Sequence, residues 1–324
     1  VYSYVFIGDA RFVVTLNVPG EYSTIQSALS AAGIGDTVLV QPGPYTENII
    51  WPETNGIELI SAGDSSNTII DGGGVSSVIY MNPQSATIDT TTLIQGFKVT
   101  NGGSMSNGGG IYIKNANPIL SNLLISNNNV PDEGGGLYLE NSNIQISNST
   151  IENNSSFDGG GVYVKNCIIE ISNIIIKNCY ASNNSGGQGG GLYAMGSDLD
   201  IINSEFISNL AHYSGGGAYV NGGNHNFLNV NFLYNQSRYG GGATVNANSS
   251  LAMENVDFIE NLAIDPGGFW PGTGGGLNLN QYSGPSSYIN VNFIQNISSG
   301  EGGGMKLGGF GDGPTFLDFY FIEN

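Results

Sequence analysis

The sequence predicts an all-β solenoid, a single-stranded parallel β-helix closed at its start by a short α-helix, and three observations predict it. First, one unit is written eight times. A glycine triplet begins at Gly108, Gly134, Gly159, Gly189, Gly215, Gly240, Gly274 and Gly302, at intervals of 26, 25, 30, 26, 25, 34 and 28 residues, and such a period means stacked, similar units. Second, the triplet is followed by apolar, tyrosine or polar, then apolar, as in Leu137-Tyr138-Leu139 and Val162-Tyr163-Val164, the period-2 alternation of a strand with one buried face. Third, Gly is 51 of 324 residues and charged residues are only 10%, so corners dominate and ion-paired helices are absent. A helical repeat would need apolar residues three and four apart and would not open on three glycines. Each copy has too few apolar residues to bury a face alone, so its stability has to come from stacking on the next copy.

Taken in order, the chain opens on an apolar stretch, VYSYVFIGDARFVV, that Asp9 and Arg11 interrupt and that has no basic leader of a signal peptide. Residues 22–32 carry apolar side chains at 25, 28, 29 and 32, with Ser23 placed as N-cap and Gly33 as stop. They predict a short amphipathic helix that plugs the open end of the first coil. Residues 36–40 and 45–49 read as strands around a Pro42-Gly43 turn, and residues 57–100 supply further irregular coils. The reading is therefore residues 1–107 as cap and irregular first coils, and 108–324 as regular coils continuous with them, one elongated domain. Roughly eleven or twelve coils at ~4.8 Å would make a rod about 55 Å long. The missing initial Met suggests a processed or trimmed chain. A bare terminal coil at Asn324 would expose unpaired strand edges, so the natural protein is expected to continue.

Each copy closes on an asparagine: Asn127, Asn153, Asn178, Asn209, Asn235, Asn261, Asn296 and Asn324. Stacked, these predict an internal amide ladder, with the apolar residues before them in the core. The triplets predict a tight corner with φ > 0 or a close approach of coils. Cys167 and Cys179 read as free thiols, since extended chain separates them.

The formal net charge is −19, with seven Lys and Arg, which excludes nucleic acid and anionic membrane surfaces as partners. No run of 18 apolar residues exists to cross a membrane.

Two resemblances add to this reading. The segment YSTIQSALSAAGIGDTVLVQPGPYTENI, about thirty residues, resembles the N-terminal cap and first coil of the pectin-lyase-like superfamily, and PGPYTE is similar to a segment of pectin methylesterases. The resemblance implies a right-handed β-helix. From Gly108 onward, GGG-apolar-Tyr alternating with Phe-x-x-Asn, literal at 206–209, 232–235, 258–261, 293–296 and 321–324, resembles the repeat of the chlamydial polymorphic outer-membrane proteins. That resemblance implies an exported, bacterial surface module. The third Gly departs from the Ala usual there, and earlier copies place Leu124, Thr150 and Ile175 at the Phe position.

For function, the sequence offers a stripe and a loop. Tyr112, Tyr138, Tyr163, Tyr193 and Tyr219 each sit between two inward residues, so they predict an outward stripe about 20 Å long that either docks a sugar or protein or stacks on itself. Lys114, Glu140 and Lys165 fall at one neighbouring position and read as register support. The corners at 178–189 and 261–274 are long, and insertions in solenoids become loops on the binding side. The second holds Asp265, Phe269 and Trp270, able to grip a saccharide or a neighbouring chain, or to fold back on the rod.

Enzyme signals are sparse. Seven scattered cations, His212 and His225 on different corners, and no polygalacturonase, pectate lyase or pectin methylesterase constellation argue for a non-catalytic rod or adhesin. A polysaccharide lyase, hydrolase or esterase is the alternative, resting on the cap resemblance alone. No cofactor is implied. Calcium stays open but unassigned, with Asp132, Glu133, Asp158 and Glu301 near the triplets. Glycan, surface protein and lateral copies of the chain are the partners considered.

Overall fold

A computed structural model describes residues 12–103, 107–182, 186–265, 268, 270–280, 286–308 and 315–324. The chain winds through about 11 turns of a parallel β-solenoid. Three faces build each turn. One stacks Thr15–Val18, Thr37–Val40, Glu58–Ser61 and their successors. A second stacks Gly43–Thr46, Thr68–Asp71 and Lys98–Thr100. A third stacks Ile111–Lys114, Leu137–Glu140, Val162–Lys165 and Leu192–Met195. Between the second face and the third runs a row of two-residue strands, from Ser155–Ser156 to Ile297–Ser298. In later coils the strands Ala218–Leu233 and Ala243–Ile259 bend through all three faces without a break. Ile79–Met81 pairs directly with Ile111–Lys114, so the irregular first coils run into the regular ones.

Alternation fills the interior as the period-2 pattern requires. Phe206, Phe232, Phe258 and Phe293 are buried and stack at 4.8, 4.8 and 5.0 Å, with the exposed Phe321 5.0 Å from Phe293. Ile125, Ile151 and Ile176 hold that row in earlier coils, one residue beyond the positions the motif suggested.

The same one-residue offset corrects the asparagine ladder. Asn127, Asn153 and Asn178 are corner residues with φ of 56, 54 and 52°, a left-handed conformation that Asn tolerates. The internal ladder is instead Asn128, Asn154, Cys179, Asn209, Asn235, Asn261, Asn296 and Asn324. At most rungs one Oδ1 accepts both the backbone N–H and the Nδ2 of the rung before it, for example Asn235 from Asn209 at 3.0 and 3.0 Å. Cys179 interrupts the row; its thiol donates to the Lys177 carbonyl at 3.4 Å, and burial pushes it up to about 12. Both cysteines are unpaired and buried.

The cap helix spans Ile25–Ala31 and buries Ile25, Ala28 and Leu29 on the first coil. Its N-cap is Thr24 rather than Ser23, because the Thr24 hydroxyl is the one that accepts from Ser27 N, at 3.1 Å. Glu47, from the first coil, accepts from Ile25 N and Gln26 N at 2.9 Å each, placing a carboxylate on the helix N-terminus. The Gln26 amide pairs with both backbone groups of Ile50, at 2.7 and 3.0 Å. The helix thus covers a strand edge that would otherwise template another chain.

His225 lies inside strand Ala218–Leu233 rather than on a corner, in a core row between Leu199 and Leu251. It is 3% exposed, and neither ring nitrogen has a partner. Burial lowers its pKa from 6.5 to about 4, against the opposing charge of Asp198. A folded pKa below the unfolded one means stability is complete above pH 6.5 and falls as the pH drops towards 4. His225→Leu is expected to flatten that loss, read as the urea midpoint at about pH 4.5 against about pH 7.5. Asp158, raised to about 6 by burial, acts in the opposite direction, and comparison of variant with wild type cancels it. An unchanged pH slope would contradict the assignment.

Candidate functional site

The tyrosine positions on the third face form a ladder. Tyr80, Tyr112, Tyr138, Tyr163, Tyr193 and Tyr219 stack at 4.8, 4.8, 5.3, 5.0 and 5.1 Å, with planes within 16° of parallel. The predicted outward stripe is therefore real in register but not in exposure. Tyr138, Tyr163, Tyr193 and Tyr219 are only 5–7% exposed and make a second buried cluster outside the main core. The rings lie flat on one another and the chain folds back against them. The first glycine of the triplet stands so close that a Cβ on Gly108 would lie 2.8 Å from Tyr112 Cβ. Of the alternatives the sequence left open, self-stacking is the one the geometry shows, with Tyr138, Tyr163 and Tyr193 buried in the stack and Tyr112 half-buried at its side.

Charges flank the ladder. Glu140 accepts from the Tyr138 hydroxyl at 2.9 Å and pairs with Lys114 at 2.9 Å and Lys165 at 3.8 Å, one carboxylate shared along the register row. Burial, then the Glu140 hydrogen bond, holds the Tyr138 phenol well above its usual range. Burial, then Glu133 and Asp158, pushes Tyr163 up to about 12. These phenols stay neutral and stack without charge repulsion.

The ladder ends at Tyr219, and the end opens a cavity. The next rungs are Thr244, Asn278 and Lys306, shorter or unstackable side chains. A space of about 340 Å³ lies there, its walls including Gln188, Tyr213, Tyr219, Tyr239, Thr273 and Asn278. Tyr219 hydroxyl accepts from Asn246 Nδ2 at 2.9 Å, and Thr244 Oγ1 donates to the Tyr239 carbonyl at 2.8 Å while accepting from Ser214 Oγ at 3.0 Å. By contrast, Asn278 Oδ1 and Thr273 Oγ1 are buried in this wall without a hydrogen-bond partner. Each is shielded from solvent, so it is a cost carried by the fold itself.

Arg238 links two of the cavity's tyrosines to the long corner. The Arg238 guanidinium sits 4.7 Å from the Tyr239 ring centre, 5.3 Å from Trp270 and 5.9 Å from Tyr213, and the two tyrosines meet edge to face at 5.2 Å. Trp270 is 62% exposed, and its backbone N–H donates to Asp265 Oδ2 at 3.1 Å, so a buried carboxylate shapes the turn that presents the indole. The structure thus brings Asp265 and Trp270 together on the long corner, while Tyr219 lines the cavity and the other tyrosines lie along the rod. Phe269 lies outside the described residues.

Sequence reasoning missed Arg238, Tyr213, Tyr239, Thr273 and Asn278. A signal was present: Tyr213 and Tyr239 stand just before triplets, and Thr244, Asn278 and Lys306 break the Tyr pattern just after them. A further miss is a groove of about 690 Å³ on the first face, where Glu170, Asp198 and Asp200 come together by register. Each carboxylate accepts from an amide: Glu170 from Gln145 at 3.1 Å, Asp198 from Asn224 Nδ2 at 3.1 Å, and Asp200 from Asn226 at 2.8 Å. Among the described residues no group of three or more His, Cys, Asp or Glu is arranged to hold a metal ion.

No curated protein matches the chain. Among solved structures, the rice weevil pectin methyl esterase is similar at 11% identity, covering 100% of this chain and 91% of that one, with a TM-score of 0.37. A Yersinia enterocolitica family 28 exopolygalacturonase is similar at 10% identity, covering 95% and 76%, with a TM-score of 0.29. Likenesses so distant carry no argument about activity. The family described as right handed beta helix region matches residues 47–211, which is 211 − 47 + 1 = 165 of 324 residues. The chain belongs to that family of right-handed β-helices.

Proposed function

We propose that the chain is a non-catalytic, exported rod that docks a glycan at the corner where the tyrosine ladder ends. The observation that carries this reading is the cavity beside Tyr219, with Tyr213 and Tyr239 in its walls. Rigid aromatic side chains and a few aimed polar groups are what small-ligand sites are made of. The repeats' resemblance to chlamydial surface passengers supports export, and the acidic coat suits a solvated surface module. On this reading the solenoid is a spacer, and the ladder keeps it straight up to the binding corner.

The test is a glycan array with wild type and Trp270→Ala. Trp270 is exposed, so its truncation is expected to leave the fold intact and to weaken the bound glycans by about tenfold, the worth of one aromatic contact. Equal binding by both proteins would count against the corner. The enzymatic alternative would use the first-face groove, where Glu170 and Asp200 are register neighbours about 4.8 Å apart along the stack. Glycan hydrolysis abolished by Asp200→Asn would favour it.

A further inference from the structure

We infer that the second face of the later coils docks a cationic amphipathic helix of a partner protein. This surface is on a different face from the tyrosine ladder and does not depend on glycan docking. On each later strand of the second face a phenylalanine points in and the next residue points out: Phe206-Ile207, Phe232-Leu233, Phe258-Ile259 and Phe293-Ile294. The outward residues stack in register as Ile207, Leu233, Ile259, Ile294 and Ile322. In earlier coils the same row is Thr100, Ser126, Glu152 and Lys177. An outward row that turns from polar to aliphatic breaks the alternation expected of a solvated sheet face. Ile207, Leu233, Ile259 and Ile294 keep part of their surface in solvent, so a continuous aliphatic stripe is left for a partner.

Charge names the partner. Glu205 and Asp257 stand two residues before the stripe, each accepting from an asparagine of the next coil, at 3.4 and 2.7 Å. Glu260 and Glu323 are exposed on the corner just after it, at φ 51 and 52°. The described cations near these coils are engaged elsewhere: Lys177 with Glu152 at 3.0 Å, Lys306 with Glu301 at 3.5 Å, and Arg238 on three rings. An aliphatic stripe edged by four carboxylates complements a segment with an apolar face and Lys or Arg on its flanks. Spacing favours a helix. Five rungs at ~4.8 Å span about 19 Å, the length of about thirteen helical residues. A helix turn rises ~5.4 Å, close to the rung spacing, whereas an extended strand brings a side chain to one side every ~6.8 Å. A second copy of this chain fits poorly, because its second face carries the same carboxylates and its helix Ile25–Ala31 has no Lys or Arg.

Two variants separate the apolar and the charged contributions. Leu233→Thr/Ile259→Thr keeps β-branched side chains on both strands and is expected to weaken the helix about tenfold or more. Asp257→Asn/Glu260→Gln is expected to weaken it about threefold to tenfold and to lessen its salt dependence.

The experiment is fluorescence anisotropy at about 0.15 M salt with a synthetic peptide of about fourteen residues, leucines on one helical face and lysines on the other. A scrambled peptide of the same composition is the control for charge alone. Binding of the amphipathic peptide by wild type, about tenfold weaker for the scrambled one and weaker in both variants, supports the inference. Equal binding of the two peptides overturns it, because a chain of net charge −19 would then be attracting any polycation. Absence of binding, or binding that Leu233→Thr/Ile259→Thr retains, also overturns it. If circular dichroism shows that this variant has unfolded, Asp257→Asn/Glu260→Gln decides, and unchanged binding there overturns the inference. A wild-type dimer in sedimentation that Leu233→Thr/Ile259→Thr makes monomeric overturns it as well, since a second copy would then cover the stripe.

Discussion

Asn235→Leu is expected to destabilise the rod by about 4 kcal/mol or more, one of the largest effects of any single change, because one amide serves three neighbours. Its Oδ1 accepts from Asn209 N and Nδ2, both at 3.0 Å. Its Nδ2 donates to the Phe206 carbonyl at 2.8 Å and to Asn261 Oδ1 at 3.0 Å. Asn235 is fully buried, so no water replaces these partners. Leucine would leave two donors of Asn209 and the Phe206 carbonyl unmet, each costing about 1–3 kcal/mol. Only part of this is offset by apolar burial. Urea unfolding followed by circular dichroism checks it, and a change below about 1 kcal/mol would show that the ladder is incidental.

Gly190→Ala is expected to be at least as severe, at about 5 kcal/mol, because it wedges two coils apart. A Cβ there would lie 2.5 Å from the Gly216 carbonyl oxygen and 2.6 Å from Leu210 backbone atoms. Those are main-chain atoms of the next coil and cannot rotate away. The triplet divides its labour: Gly189 takes the left-handed turn at φ 65°, while Gly190 and Gly191 admit the neighbouring coil. Gly20→Ala is the control, since its Cβ would meet nothing nearer than Asn17 Cβ at 3.6 Å. Soluble, cooperatively unfolding Gly190→Ala with a wild-type melting temperature would contradict the close approach.

The period of the triplets and the apolar alternation were enough to reach the solenoid, because each strand's pattern repeats the same physics. What stayed illegible was anything that register decides. Asn127 and Asn128 look alike as letters, yet one turns a corner at φ 56° and the other bonds inside. The tyrosines read correctly as outward, but only the folded corner shows that the chain returns to cover them. Likewise Arg238 and Trp270 come from successive corners, and Glu170 and Asp200 from successive strands, so stacking alone makes them neighbours. Asp265 and Trp270 were legible because a long, aromatic insertion is conspicuous in a repeat of short corners.

The most direct measurement is a crystal structure of the chain with its best-bound oligosaccharide from the array. A sugar ring in the ladder-end cavity, against the Tyr213 and Tyr239 side chains that line it, is the expected result. A sugar lying along Tyr138 and Tyr163, or in the first-face groove beside Glu170 and Asp200, would contradict it.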